Sequence, residues 1–206
     1  MKAKILMLFI GLFIFLTGCG NLTNEEIIEK TEKQLKEMKS YQCTLEIKVT
    51  GNKGSQEYEI KQFFQSPDSY RLETLSPKQL EGKTTIFQQG KAKIYHPHID
   101  QSIIIENFEP KGEEVMFLGD FLKWDFDKET KIEEKVQGEQ EYLVLTREIA
   151  KGSYYHHKQS LWIHKKDILP RYIKIYDQEG NPRIEITIKD FKIAPEFDKM
   201  LFEIEK

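Results

Sequence analysis

The sequence predicts an α+β protein weighted towards β: a curved antiparallel sheet of about eleven strands covered by two or three helices. Three observations carry that expectation. Tyr41, Cys43, Leu45, Ile47 and Val49 alternate strictly with polar neighbours, the period-two signature of a strand with one buried face. Short runs of similar kind recur to the end of the chain, separated by glycine and proline. Helical spacing is confined to two stretches beyond the N-terminal apolar run, so a long sheet with one apolar face has to curl around few helices to bury it.

The chain opens with Lys2 and Lys4, an apolar run over 5–16, the small pair Thr17-Gly18, and Cys19. A positive start, a short apolar core and small residues before a cut form the layout of a secretory signal. Roughly 12 apolar residues fall short of the ~20 that a membrane-spanning helix needs. Leu16-Thr17-Gly18-Cys19 resembles a bacterial lipobox, which implies that residues 1–18 are removed and that the Cys19 thiol is diacylated. Several acyl chains on one residue bury enough CH2 groups for stable anchoring. The expected mature chain is therefore residues 19–206, extracytoplasmic and lipid-anchored, with 19–23 as a short tether.

Thr23-Asn-Glu-Glu26 has the form of a capping box, and Ile27, Ile28, Thr31, Leu35 and Met38 follow at helical spacing, so a helix is predicted over 24–39. Strands are predicted at 41–50 and 56–65, joined through Gly51-Asn-Lys-Gly54. Further strands fall at 69–75, 84–89, 91–95 and 101–106, punctuated by Pro67, Pro77, Gly82 and Gly90. Residues 112–124 break that rhythm and read as a second helix. Five strands then follow, near 130–136, 141–149, 159–165, 171–177 and 183–192, with Leu169-Pro170 opening one and Glu179-Gly-Asn-Pro182 closing a hairpin. No linker or low-complexity stretch divides the chain, so residues 19–206 are expected to form one domain.

Composition narrows the function. The formal net charge is −3, and removing Lys2 and Lys4 with the signal makes the rest more acidic. Acidic and basic residues are interspersed, with no basic block suited to a phosphate backbone, which argues against nucleic-acid binding. Once Cys19 is acylated, Cys43 is the one remaining thiol, so stability has to come from packing rather than an internal disulfide. His96-Pro-His98, His156-His157 and His164 invite a metal, but no Cys or Glu ligand stands at familiar spacing, and exposed loop histidines are the simpler reading. There is no G-x-S-x-G elbow, phosphate-binding glycine loop or H-E-x-x-H motif. No enzyme activity and no cofactor are expected.

The apolar strand positions Leu45, Ile47, Ile60, Phe64, Leu72, Ile86, Ile94, Leu143, Leu145, Trp162, Ile173, Ile175, Ile186 and Ile188 have two readings. They form a packed core, or part of them walls a cavity for a lipid, and both need the same residue types. Tyr154-Tyr155 beside His156-His157 sits in a loop before a strand. Tyrosine is common at interfaces, so a binding site stands against a plain hairpin loop here.

Three stretches carry a family resemblance. Phe63-Phe-Gln-Ser-Pro-Asp-Ser-Tyr-Arg71, Gln89-Gly-Lys-Ala-Lys-Ile-Tyr95 running into His96-Pro-His98, and Leu161-Trp-Ile-His-Lys-Lys-Asp-Ile-Leu-Pro170 followed by Ile173-Lys-Ile-Tyr-Asp-Gln-Glu-Gly180 and Ile188-Lys-Asp-Phe191 stand in the order of the LolA-like family. The resemblance implies an incomplete antiparallel barrel with helices as a lid, and it places Arg71 against those lid helices. With the lipobox, the chain is similar to the clostridial spore germination lipoproteins of that family. That similarity implies binding to an N-acetylmuramoyl-L-alanine amidase, which it enables to modify spore-cortex peptidoglycan. A homodimer by strand exchange is a further expectation, since sheet edges pair readily. The alternative that the family implies is a lipid or lipoprotein carrier or sensor holding an acyl chain inside the half-barrel.

Overall fold

Thr23 begins the first helix in the computed structural model, which describes residues 22–108, 118–121, 130–150 and 152–204. Its Oγ1 accepts the Glu26 amide at 3.2 Å, while the Glu26 carboxylate accepts the Thr23 amide at 2.8 Å, completing the capping box. Helix α1 spans Asn24–Glu37, with Glu25 and Glu26 in its first turn and Lys36 in its last, the signs that suit the helix dipole. It ends slightly earlier than the spacing predicts because Met38 is already extended and feeds the first strand.

Eleven strands follow: β1 (Ser40–Gly51), β2 (Gly54–Gln65), β3 (Ser69–Ser76), β4 (Thr84–Gln88), β5 (Lys91–His96), β6 (Gln101–Ile105), β7 (Lys131–Gln137), β8 (Gln140–Glu148), β9 (Lys158–His164), β10 (Leu169–Tyr176) and β11 (Pro182–Ile193). They form one antiparallel sheet in the order β6-β5-β4-β3-β2-β1-β11-β10-β9-β8-β7. The curved sheet is thus two meanders joined through β1 and β11, and it stays open, with β6 and β7 as its edges. Of the helix expected over 112–124, the described part is α2 (Leu118–Phe121); the remainder lies outside the described residues. No helix among the described residues is long and apolar enough to cross a membrane.

Strand register decides which residues meet α1. Leu45 faces Ile60 on one side and Ile188 on the other, and Ile47 faces Ile186, which faces Ile173. Ile173 in turn faces Leu161, and Leu161 faces Leu145. This inner row packs with Ile27, Leu35 and Met38 of α1 and with Leu118 and Phe121 of α2 into the main core. Each fully buried aliphatic side chain contributes about 1.5–3 kcal/mol by leaving water. A β-bulge in β11 opposite Cys43, with Asp190 at φ 49°, reverses the strand's parity. It turns Phe191 inward to stack on Tyr41 at 5.6 Å.

Two smaller clusters lie on the outer face, opposite α1. Phe63, Ile86 and Phe202 pack with Phe197, Leu201 and Ile204, so the C-terminal tail crosses behind β2–β4. Tyr142, Val144, Trp162 and Tyr172 form the second. Trp162 therefore belongs to neither the core interior nor a cavity wall. It is shielded instead by Lys174 and Lys135, whose ammonium groups lie 4.9 and 5.5 Å from its ring centroids. Arg71 is corrected in the same way. It alternates with the inward Tyr70 and Leu72, so it stands on the outer face, where its guanidinium donates to Glu73 at 2.8 Å and to the Leu201 carbonyl at 3.2 Å. Among the described residues it ties down the C-terminal tail at the short 3-10 helix Lys199–Phe202, on the face opposite α1.

Candidate interaction surface

The remaining positions expected at a cavity or core wall divide by burial. Leu45, Ile47, Phe64, Ile173 and Ile175 are between 0% and 4% exposed and pack in the main cluster with α1. Among the described residues these side chains pack against one another and against α1. Ile60 is half-buried against that cluster, and Leu72 is half-buried on the same face outside it. Cys43 lies in this core at 1% exposure, and burial pushes its thiol up to about 12, so it is a protonated, inert small side chain at neutral pH.

A cleft of about 620 Å³ opens at the N-terminus of α1, lined by Leu22, Ile27, Gln140, His164, Lys165 and neighbouring residues. Several of its polar groups are partnered: Lys165 donates to Glu134 at 2.8 Å, and His164 bonds Asp167 at 2.9 Å and Gln140 at 2.6 Å. Among the described residues, no group of three or more His, Cys, Asp or Glu side chains could hold a metal. His96 and His98 adjoin each other at the end of β5, His164 ends β9, and His156 and His157 stand in the loop before β9. The chain folds these histidines to separate places.

What the fold does bring together is a group of loop tips at the other ends of the central strands. The turn between β1 and β2, the loop between β8 and β9, and the turn between β10 and β11 meet there. Backbone bonds splice the second to the third: the Gln178 amide donates to the Tyr154 carbonyl at 3.0 Å, and the His157 amide to the Tyr176 carbonyl at 2.8 Å. Gly152 is required in this loop because a Cβ would collide with the His156 carbonyl. Tyr154 and Tyr155 then project together, 42% and 45% exposed, with rings edge to face at 5.1 Å.

Each tyrosine is held by a different tip. The Tyr154 hydroxyl donates to Glu179 at 2.6 Å, and that carboxylate raises its pKa. Asn52 reaches the Tyr155 hydroxyl at 3.4 Å, and the Arg183 guanidinium sits 5.4 Å from the Tyr155 ring centroid. The sequence singles out the two tyrosines but not Asn52, Asp177, Glu179 or Arg183. The one local signal for these is Asp177-Gln-Glu-Gly-Asn, a turn in which an Asp side chain caps the amides beyond it. An arrangement of rings, amide and guanidinium is suited to binding.

An open, curved antiparallel sheet with α1 on its inner face is the architecture that the sequence resemblance implies. The chain belongs to the sporulation protein YdcC-like family, whose model matches residues 2–202. It is 21% identical over 211 residues to the sporulation protein YdcC of Bacillus subtilis (strain 168), covering 100% of this chain and 61% of that protein. The chain thus spans about three fifths of the length of that curated relative. The structure of the CwlD amidase from Clostridioides difficile in complex with the GerS lipoprotein includes a chain similar over 85% of this one and 98% of that one, at 31% identity and a TM-score of 0.52. An uncharacterised conserved protein from Thermus thermophilus shares the fold at a TM-score of 0.57 and 18% identity, over 88% of this chain and 94% of its own.

Proposed function

We propose that this protein is a lipid-anchored, extracytoplasmic and non-enzymatic lipoprotein that binds and activates an N-acetylmuramoyl-L-alanine amidase, so that spore-cortex peptidoglycan is modified and germination can proceed. The observation that carries this reading is the 31% identity, over 85% of the chain, to the structure of an amidase in complex with the GerS lipoprotein. Membership of a sporulation family supports the setting. The lipobox at Leu16–Cys19 supports an anchor in the spore or cell envelope. Among the described residues, the filled inner face weighs against the carrier alternative, because the aliphatic rows of β1, β10 and β11 already pack against α1. Pairing of two copies through sheet edges would add a homodimer to the assembly.

Co-expression of the chain with the same organism's cell-wall amidase, read by native mass spectrometry, tests this. The expected result is a stoichiometric complex in which the amidase is active, with the amidase inactive alone. A lone chain carrying a lipid-sized adduct would overturn it in favour of the carrier.

A further inference from the structure

We propose that the Tyr154–Tyr155 tip is the surface that seats the amidase, an inference that rests on the reading above. The tip is built, and the fold does not consume it: neither tyrosine belongs to any of the hydrophobic clusters that hold the domain together. Among the described residues, the exposed large apolar side chains include Leu75, Ile99, Ile103, Ile132, Val136, Ile193 and Met200, which are scattered aliphatics. Tyr154 and Tyr155 are the aromatics in that set, and they are adjacent.

Tyrosine and arginine are the residue types that dominate protein interfaces energetically, and the tip offers two tyrosines with Arg183 beside one ring. It is also arranged in advance. Arg183 is fixed by Asp177 at 2.7 Å, Tyr154 by Glu179, and the loop backbone by the bonds to Tyr154 and Tyr176. A partner therefore loses little side-chain freedom on docking here, and tyrosine has few rotamers to lose. Because the tyrosines project from loop tips, the matching surface is concave and apolar at its centre.

Placement gives the same direction. The tip lies at the start of β9, whereas the cleft by Leu22, where the tether enters, lies at its end, roughly 20 Å away along the strand. With lipid on Cys19 the tip is on the side facing away from the tether, where a wall-directed amidase can reach it.

The test uses the full chain in detergent, immobilised, with the same organism's amidase as analyte. Tyr155→Ala and Tyr154→Ala are each expected to weaken binding roughly thirty-fold or more, while Val136→Ala on the β7 edge leaves it unchanged. Tyr155→Phe keeps the ring and the fold and is expected to bind within a few-fold of wild type. Circular dichroism confirms that each variant is folded. Wild-type affinity in both alanine variants overturns the tip as the docking surface while leaving the amidase reading standing. A wild-type chain that captures no amidase overturns both.

Discussion

Arg183 donates through Nε to Asp177 at 2.7 Å, and the Asp177 side chain is wholly shielded from solvent while Arg183 remains 19% exposed. The pair closes the turn between β10 and β11, because the same carboxylate also accepts the amides of Glu179 at 3.0 Å and Asn181 at 2.8 Å. One buried anion thus organises two backbone donors and the cation that flanks Tyr155. The exposed tyrosines depend on a residue that no partner would touch.

Removing that anion is expected to loosen the tip. Burial pushes the Asp177 carboxyl up, but the Asn181 amide, Arg183 and the Asn181 side chain together outweigh it and hold the group below its ordinary 3.8. A depressed folded-state value stabilises the protein above the unfolded value, and the contribution is lost as pH falls through the folded one. Asp177→Asn should therefore lower the melting temperature at pH 7. The gap to wild type should narrow as pH drops below about 4. Melting curves at pH 7, 5 and 3 check both the sign and the window.

The core prediction concerns Leu161, which is 0% exposed between Leu145 and Ile173. Leu161→Ala removes buried methyl groups and leaves a void that the aliphatic rows of three strands cannot fill by moving. A loss of about 3 kcal/mol is expected, with a melting temperature lower by about 6–12 °C. Were the inner face instead an open lipid cavity, the truncation would be nearly neutral, so the measurement also weighs on the carrier alternative.

At the start of α1, Thr23→Ala deletes the hydroxyl that accepts the Glu26 amide and leaves one orphaned helix donor. The expected cost is about 1 kcal/mol, read by chemical denaturation. Thr23→Ser should recover most of it.

Cys43 supplies a kinetic check on the same core. Its thiol is 1% exposed and held up to about 12 by burial, so the nucleophilic thiolate is scarce near neutral pH. Folded protein carrying Cys19→Ser, so that Cys43 is its one thiol, is expected to resist a thiol-labelling reagent at pH 8, with labelling appearing as the chain unfolds in denaturant. Fast labelling of folded protein would contradict the packing of β1 against α1.

Much of this architecture was legible because each local signal has one meaning. The Thr23–Glu26 pattern can cap a helix, and the alternation from Tyr41 to Val49 can bury only one face of a strand. The pairing of β1 with β11 was not legible, since a contact between residues so far apart in sequence leaves no mark in either strand's own period. Trp162 misled because Leu161-Trp162-Ile163 is apolar on both faces, so alternation cannot say which of the three points out. Arg71 is the opposite case: alternation with Tyr70 and Leu72 is enough to put it on the outer face, whereas the lid contact came only from the family resemblance. At the candidate site the tyrosines were visible as a loop cluster, whereas Asn52, Glu179 and Arg183 join them only once three loop tips are folded together.

Among the described residues, the two outermost strands of the sheet differ in a way that bears on self-association. β7 reads Lys-Ile-Glu-Glu-Lys-Val-Gln, a charged edge on which Lys131 pairs with Glu133 at 2.9 Å. Charge of this kind discourages another strand from pairing. β6 reads Gln-Ser-Ile-Ile-Ile, carries no charge, and exposes Ile103 at 63%. If two copies join through a sheet edge, β6 is the edge with the lower cost, because nothing on it has to be desolvated except amide and hydroxyl groups. Ile103→Lys places a charge in the middle of that edge and is expected to abolish concentration-dependent dimerisation in sedimentation velocity. The melting temperature should change little, since Ile103 contributes little buried area. The same charge inserted into β7 by Val136→Lys should leave the association as it was. An equal loss in both variants would show that a general rise in surface charge, and not the β6 edge, governs the contact.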